Sequence, residues 1–410
     1  MNTMLRLTAV SVLTIALAQC GSDPLGPIDE LPRDLSRAET RLIEIDNSFG
    51  LKLFREINAQ DPGKNLFVSP LSVAMALGMT YNGADGETQQ AMARTLELEG
   101  MTIQEVDEAY RDLISLLLDL DPRVEFALAN SIWYRNTMTF EQAFLDINRD
   151  YFNAEVTGLD FADPAAAGTI NNWVNENTNG KIPEIVADPV TDDLVMFLIN
   201  AIYFKGDWTS QFDKSLTRDA PFTLADGSQK QVETMFHESS AAVRVYSDDL
   251  LRAIDLPYGG DAFSMTILLP RDGVQLDDAI TALDGPRWQA VTEGLAEAAR
   301  IVGLPKFTLE YEIELKDVLS ALGMEVAFGA GANFSKMGPR IDLFISEVKH
   351  KTFVDVNEEG TEAAAATSVG IGITSVGPGP FLVDRPFVFV IRERFSGAII
   401  FVGKILDPEL

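Results

Sequence analysis

Four runs of β-branched and aromatic residues constrain this chain most: MFLINAIYF from 196, FSMTILLP from 263, PFVFVIRE from 386 and AIIFVG from 398. Runs of that kind fit pleated, half-buried strands. No Pro-, Gly- or Ser-rich linker interrupts residues 40–410, so strands this far apart belong to one large mixed unit. Helical patterning lies in the same stretch. Ile45, Phe49, Leu53 and Ile57 recur every fourth residue, the buried stripe of a helix. In SPLSVAMALGMTYNG, Ser69 is placed to cap a helix, Pro70 suits its first position and Gly83 suits its end. A hydrophobic share of 46% with 24 Phe is ample for a sizeable core.

The stretch VNEEGTEAAAATSVGIGITSVGPGP, residues 356–380, fits neither pattern cleanly. GTEAAAAT has the alanines and the capping threonine of a helix start. Beyond it Val369, Ile371 and Ile373 alternate with Gly370, Gly372 and Thr374 as a strand would. Glycine weakens both structures, and two Gly-Pro pairs close the segment. It is a patterned strand that its own composition discourages.

The 410 residues hold 32 basic and 62 acidic side chains, a net charge of −30. A phosphate backbone would be repelled, which excludes a nucleic-acid partner. The sole cysteine, Cys20, rules out an intramolecular disulfide. It ends MNTMLRLTAVSVLTIALAQC, in which Arg6 precedes an apolar run from Leu7 to Ala18. That run is too short to span a membrane and fits an export signal. LAQC resembles the lipobox of bacterial lipoproteins, with Gln19 where a small residue is usual. The expected organisation is a signal peptide over 1–19, a proline-containing tether over 20–38 with lipid on Cys20, and a folded domain over 39–410. The chain would be exported, either anchored by lipid or released outside the cell.

Catalytic constellations are missing. His237 and His350 are the only histidines, HESS after Phe236 is not HExxH, and no CxxC occurs, so a zinc site is not expected. No GxSxG elbow supports a nucleophilic serine. GAGANF and GIGITS lack the third glycine of a dinucleotide loop. The reading is a non-enzyme without catalytic residues, metal or cofactor.

The motifs together resemble the serpin family. NLFVSPLSVAMALGMTYNGADGET, NNWVNENTNGKIPEIV, LINAIYFKGDWTSQFD, VKHKTFVDVNEEGTEAAAAT and DRPFVFVIRERFSGAIIFVGKILDP occur in the order that family shows, over about residues 40–410. The resemblance implies an α+β fold of three β-sheets and eight or nine helices, with an exposed reactive-centre loop. It implies a metastable, monomeric suicide-substrate inhibitor of serine proteases, with cysteine proteases as a further class. After cleavage the loop's first half would insert as a strand of the central sheet, a form of β-strand addition. Thr361, Ala363, Ala365, Thr367, Val369 and Ile371 would then face the core. Glu362, Ala364, Ala366, Ser368, Gly370 and Gly372 would face outward, so the only charge between 361 and 372 stays out.

The resemblance also assigns positions. The hinge is Glu358, Gly360, Thr361, Ala363, Ala364, Ala365 and Ala366. Counting from Glu358 as the first of seventeen residues places the bait bond at Thr374–Ser375, with Ile373 as a neighbour; counting back from RPF places it one bond later. Ser69, Ser72, Asn200 and His350 match residues that hydrogen-bond beneath the central strands. Lys306 matches the hinge glutamate's partner, and Trp208 the tryptophan at the top of the sheet. No Lys or Arg lies between Thr361 and Asp384, and Arg385 precedes Pro386. A trypsin-like pocket needs a cation, so the expected covalent partner is a protease with small or aliphatic specificity, elastase-like or subtilisin-like. The alternative is a serpin-fold binding or protective protein that traps nothing.

Overall fold

The computed structural model describes residues 26–191, 194–238, 241–338, 343–361 and 379–409. Its strands form sheets of seven, four and six. All four expected strand runs are present, as Met196–Asp207, Phe263–Pro270, Phe387–Glu393 and Ile399–Ile405.

The six-stranded sheet sets up the rest. Across it run Phe307–Glu314, Lys349–Val356, Gly360–Thr361, Met196–Asp207, Val124–Arg135 and Ala154–Leu159. One of these strands is only two residues long. Gly360–Thr361 lies between two long neighbours and meets them only at Gly206, Asp207 and Val356. Among the described residues no other strand pairs with 196–205 on this side or with 349–355, so within them the two strands are parted below Thr361.

Both faces of this sheet are covered. Ile199, Ala201 and Trp133 face the helix Ala166–Asn177, whose Ile170 and Val174 are fully buried. Even-numbered positions of the 349–356 strand are the buried ones: His350, Thr352, Val354 and Val356. The main core lies on their side and includes the stacked rings of Phe67, Phe389 and Phe401.

Helix α1 spans Arg37–Gln60 and helix α2 spans Pro70–Tyr81. The stripe of Ile45, Phe49, Leu53 and Ile57 is buried to within 2%. Helix α2 is enclosed nearly all round, and the Ser69 hydroxyl accepts the Ser72 N–H as its cap. Gly83 follows α2 as expected, and it is crowded as well: a Cβ there would lie 2.2 Å from Met337 Cγ. The boundary expected at 38/39 falls inside α1. Ser36 and Glu39 form a reciprocal capping box that starts the helix at Arg37. The part of the expected tether that is described lies on the body, where Ile28 N–H donates to Gly260 O.

Gly50 of α1 marks where the two helices touch, since a Cβ there would sit 2.4 Å from Pro70 Cβ. Helix propensity alone would favour alanine by about 1 kcal/mol. Overpacking costs about 1–3 kcal/mol, and we expect it to win: Gly50→Ala lowers the chemical-denaturation midpoint, whereas a rise would show that α1 and α2 yield freely.

Candidate functional site: the hinge and the gap below it

The hinge turns tightly out of the 349–356 strand. Asn357 N–H donates to Gly360 O at 2.9 Å, and Thr361 pairs with Val356 on one side and Gly206 on the other. Gly360 passes so close to the 196–207 strand that a Cβ would stand 2.1 Å from Gly206 O. Only glycine fits that approach. Thr361 is buried, and its hydroxyl lies 2.6 Å from the Tyr258 hydroxyl.

Trp208 clamps this turn. Its backbone N–H donates to Glu359 O at 2.8 Å and its indole N–H to Asn357 O at 2.9 Å. Its ring stacks on Tyr258 with centroids 4.4 Å apart. Phe212 N–H holds Glu358 O at 2.9 Å. Glu358 Oε1 accepts from Thr217 Oγ1 at 2.7 Å and lies 3.4 Å from Lys306 Nζ. Lys306 also pairs with Glu233 at 3.3 Å. Burial alone would raise the Glu358 carboxyl, but the Thr217 hydroxyl, a backbone N–H and Lys306 together hold it below the usual carboxylate range. Burial opposes the charge on Lys306, yet Glu358 and Glu233 keep its pKa above the usual lysine value. Lys214 forms an ion pair with Glu359.

The lower end of the gap is closed by neutral groups. Ser69 N–H donates to His350 Nε2 at 3.0 Å and Ser69 Oγ donates to Ile400 O at 2.8 Å. Ser72 Oγ reaches Asn200 O at 3.4 Å. Asn200 Nδ2 donates to Asn130 Oδ1 at 2.5 Å, and Asn130 in turn donates to Phe152 O. Burial lowers His350 to about 4, so its ring is neutral and Nε2 is free to accept.

Every described site residue expected from sequence thus falls in one of two groups. Glu358, Gly360, Thr361, Lys306 and Trp208 gather at the top of the gap, and Ser69, Ser72, Asn200 and His350 at its lower end. Ala363, Ala364, Ala365, Ala366, Ile373, Thr374, Ser375 and Cys20 lie outside the described residues. Sequence reading missed Tyr258, Thr217, Phe212 and Lys214. Phe212 stood in a quoted motif; the other three carry no local signal.

Residues 44–408 match the family described as "Serpin (serine protease inhibitor)". Leukocyte elastase inhibitor of Bos taurus is 37% identical over 387 residues, covering 91% of this chain and 99% of that protein. Neuroserpin of Mus musculus is 34% identical, covering 89% of this chain and 92% of that protein. Among solved structures, the thermophilic serpin tengpin in its native state superposes with a TM-score of 0.81 at 31% identity, covering 93% of this chain and 97% of that chain. The chain belongs to the serpin family, and the three-sheet architecture is the serpin fold.

His350 gives the lower lock a pH dependence of known sign. Its folded pKa of about 4 lies below the ordinary 6.5, so between those values the unfolded chain binds a proton that the folded chain refuses. Stability therefore falls as pH drops through that window, by about 3 kcal/mol in all. Asp46 and Asp107, pushed up by burial to about 7 and about 6, act oppositely. The informative quantity is thus the difference between wild type and His350→Gln. We expect wild type to lose melting temperature faster than the variant between pH 6.5 and 4; parallel profiles would remove His350 from the lock.

Proposed function

We propose that the chain is an inhibitory serpin, a suicide-substrate inhibitor of serine proteases with elastase-like or subtilisin-like pockets. The observation that carries this reading is the register of Gly360–Thr361 between two strands that no other described strand bridges. Continuing it past Thr361 would set Ala363 between Phe204 and Val354, Ala365 between Ile202 and Thr352, and Thr367 between Asn200 and His350. Val369 and Ile371 would come opposite Leu198 and Met196. The residues that alternation assigns to the core would thus fall beside buried side chains of the 349–356 strand. Alanines at 363 and 365 suit the crowded upper half.

The free energy supports it. About a dozen new strand residues would gain ladder hydrogen bonds at roughly 0.5–1.5 kcal/mol each, net. Burying Val369 and Ile371 adds about 1.5–3 kcal/mol apiece. That is comparable with the stability of a whole domain, enough to drag an acylated protease across the sheet. The uncleaved fold would then be a kinetic trap.

The bait bond in this reading is Thr374–Ser375. Arg385, the first basic residue after the bait, donates to Pro270 O and pairs with Asp272, so it is engaged in the body. The name of the leukocyte elastase inhibitor, similar along nearly all its length, supports an elastase-like target. We further propose export as a bacterial lipoprotein, with residues 1–19 as leader, lipid on Cys20, and a monomeric body. The sole cysteine at the end of LAQC supports this. No helix among the described residues is long and apolar enough to cross a membrane.

Incubation with an elastase-like protease should give an SDS-stable complex and a released C-terminal peptide that begins at Ser375; cleavage without complex would favour a substrate or binding protein. Thr361→Arg should turn inhibitor into substrate, because its charge would be buried against Tyr258. Unchanged stoichiometry in that variant would refute insertion. Cleavage of the loop should also raise the melting temperature well above that of the intact chain, and an equal or lower value would count against a stored strand.

A further inference from the structure

We propose that residues 26–36 are a strap that shortens the anchor, so that with lipid on Cys20 the hinge end of the central sheet is the surface turned to the bilayer. That orientation rests on the lipid reading above; the seating of the strap does not.

The described part of the expected tether is held at several points. Gly26 O accepts from Arg123 Nη2 at 2.9 Å, and Ile28 N–H donates to Gly260 O at 2.7 Å. Ile28, Leu31 and Leu35 are half-buried against the main core. Arg33 pairs with Glu39 at 2.6 Å and donates to Asp112 O of the helix Ile103–Leu118 at 3.2 Å. Glu39 is itself buried and belongs to the capping box of α1, so the strap runs without a break into that helix. Pro27 and Pro32 fix φ within it and stiffen the run.

The seat lies beside the hinge. Gly260 N–H donates to the buried Asp121 carboxylate at 2.7 Å, and Gly259 N–H donates to Asp207 O at 2.8 Å. Asp207 pairs in turn with Gly360. The other described flank of the bait is at the same end. Phe381 pairs with Val302, in the strand that leads to Lys306, and Lys306 is the partner of Glu358.

Reach follows from the seating. Gly26 stands six residues on from Cys20, a span of at most about 20 Å. A strap lifted off the body would leave the chain loose as far as Arg37, a span of about 60 Å. The 196–207 strand carries the lower end of the sheet about 35 Å away from the hinge. The net charge of −30 is repelled by an anionic leaflet, which keeps the body from lying flat on it. A short anchor at one end and repulsion of the rest put the hinge nearest the lipid. The partner that this geometry fits is a protease working in the layer next to the membrane.

The test anchors the exported full chain in vesicles of phosphatidylcholine and phosphatidylglycerol that contain an acceptor-dye lipid. Anchoring uses the chain's own lipid or, where mass analysis finds none, a maleimide lipid on the Cys20 thiol. A donor dye is attached to an azide-bearing residue at one of two exposed positions. Asp219 marks the hinge end, opposite Glu233, which pairs with Lys306; Thr137 marks the lower end, just past the 124–135 strand. We expect stronger energy transfer from position 219 than from 137. Ile28→Asp with Leu31→Asp should unseat the strap and lower transfer from 219. A Gly/Ser insert after Ser22 lengthens the anchor with the strap in place, should lower it too, and serves if the double variant fails to fold. Equal or stronger transfer from 137, or transfer from 219 that neither change lowers, would overturn the proposal. A native chain without lipid on Cys20 would refute the lipid reading instead, and the maleimide-anchored vesicles would still decide the strap.

Discussion

Two residues hold apart two strands of one sheet, and the rest of the molecule is arranged around that wedge. Gly360 and Thr361 bridge the 196–207 and 349–356 strands at the top, and the backbone edges below have no strand partner among the described residues. Unpaired strand edges invite another strand. The gap persists because the wedge is fastened firmly. Gly360 packs backbone to backbone on Gly206, and Trp208 bonds to both Asn357 and Glu359.

The remainder of the body supplies the rigidity against which such a gap stays open. In the seven-stranded sheet, buried Asp255 accepts from Ser264, Thr266, Arg392 and Arg244. Burial alone would raise that carboxyl, and Arg392 with the two hydroxyls outweighs it. The same strands carry the fully buried Phe263, Phe387 and Phe389. A satisfied polar cluster inside an aromatic core fixes one arrangement of strands.

Sequence made the long elements legible and left the short ones dark. Phe263–Pro270 is apolar at six of its eight positions because both faces are buried, and a run like that is visible unaided. The stripe of α1 is visible for the same reason at a period of four. A two-residue strand such as Gly360–Thr361 has no period, so only family resemblance pointed to it. Contacts between distant segments were equally hidden: nothing near Tyr258 signals that its hydroxyl meets Thr361, 103 residues away. The capping box at Ser36 and Glu39 is different, since its spacing is plain in the sequence and would have started α1 correctly. Gly83 was read rightly as an end; that Met337 crowds it as well is a tertiary fact no local pattern carries.

The two ends of the gap are fastened with different chemistry, and the difference sets the order in which they would yield. At the top, Glu358, Lys306 and Lys214 with Glu359 add charge to a backbone turn, and charges near the surface are weakened by salt. At the lower end the bonds of Ser69, His350, Asn200 and Asn130 join neutral groups, held by burial. A strand that continued the Thr361 register would leave the upper contacts in place, because the wedge is already its first turn. At the lower end Thr367 would come between Asn200 and His350, each already bonded to helix α2 or its cap. Under the proposed insertion, the resistance would reside in the neutral hydrogen bonds around Ser69 and His350 rather than in the ion pairs that first draw the eye.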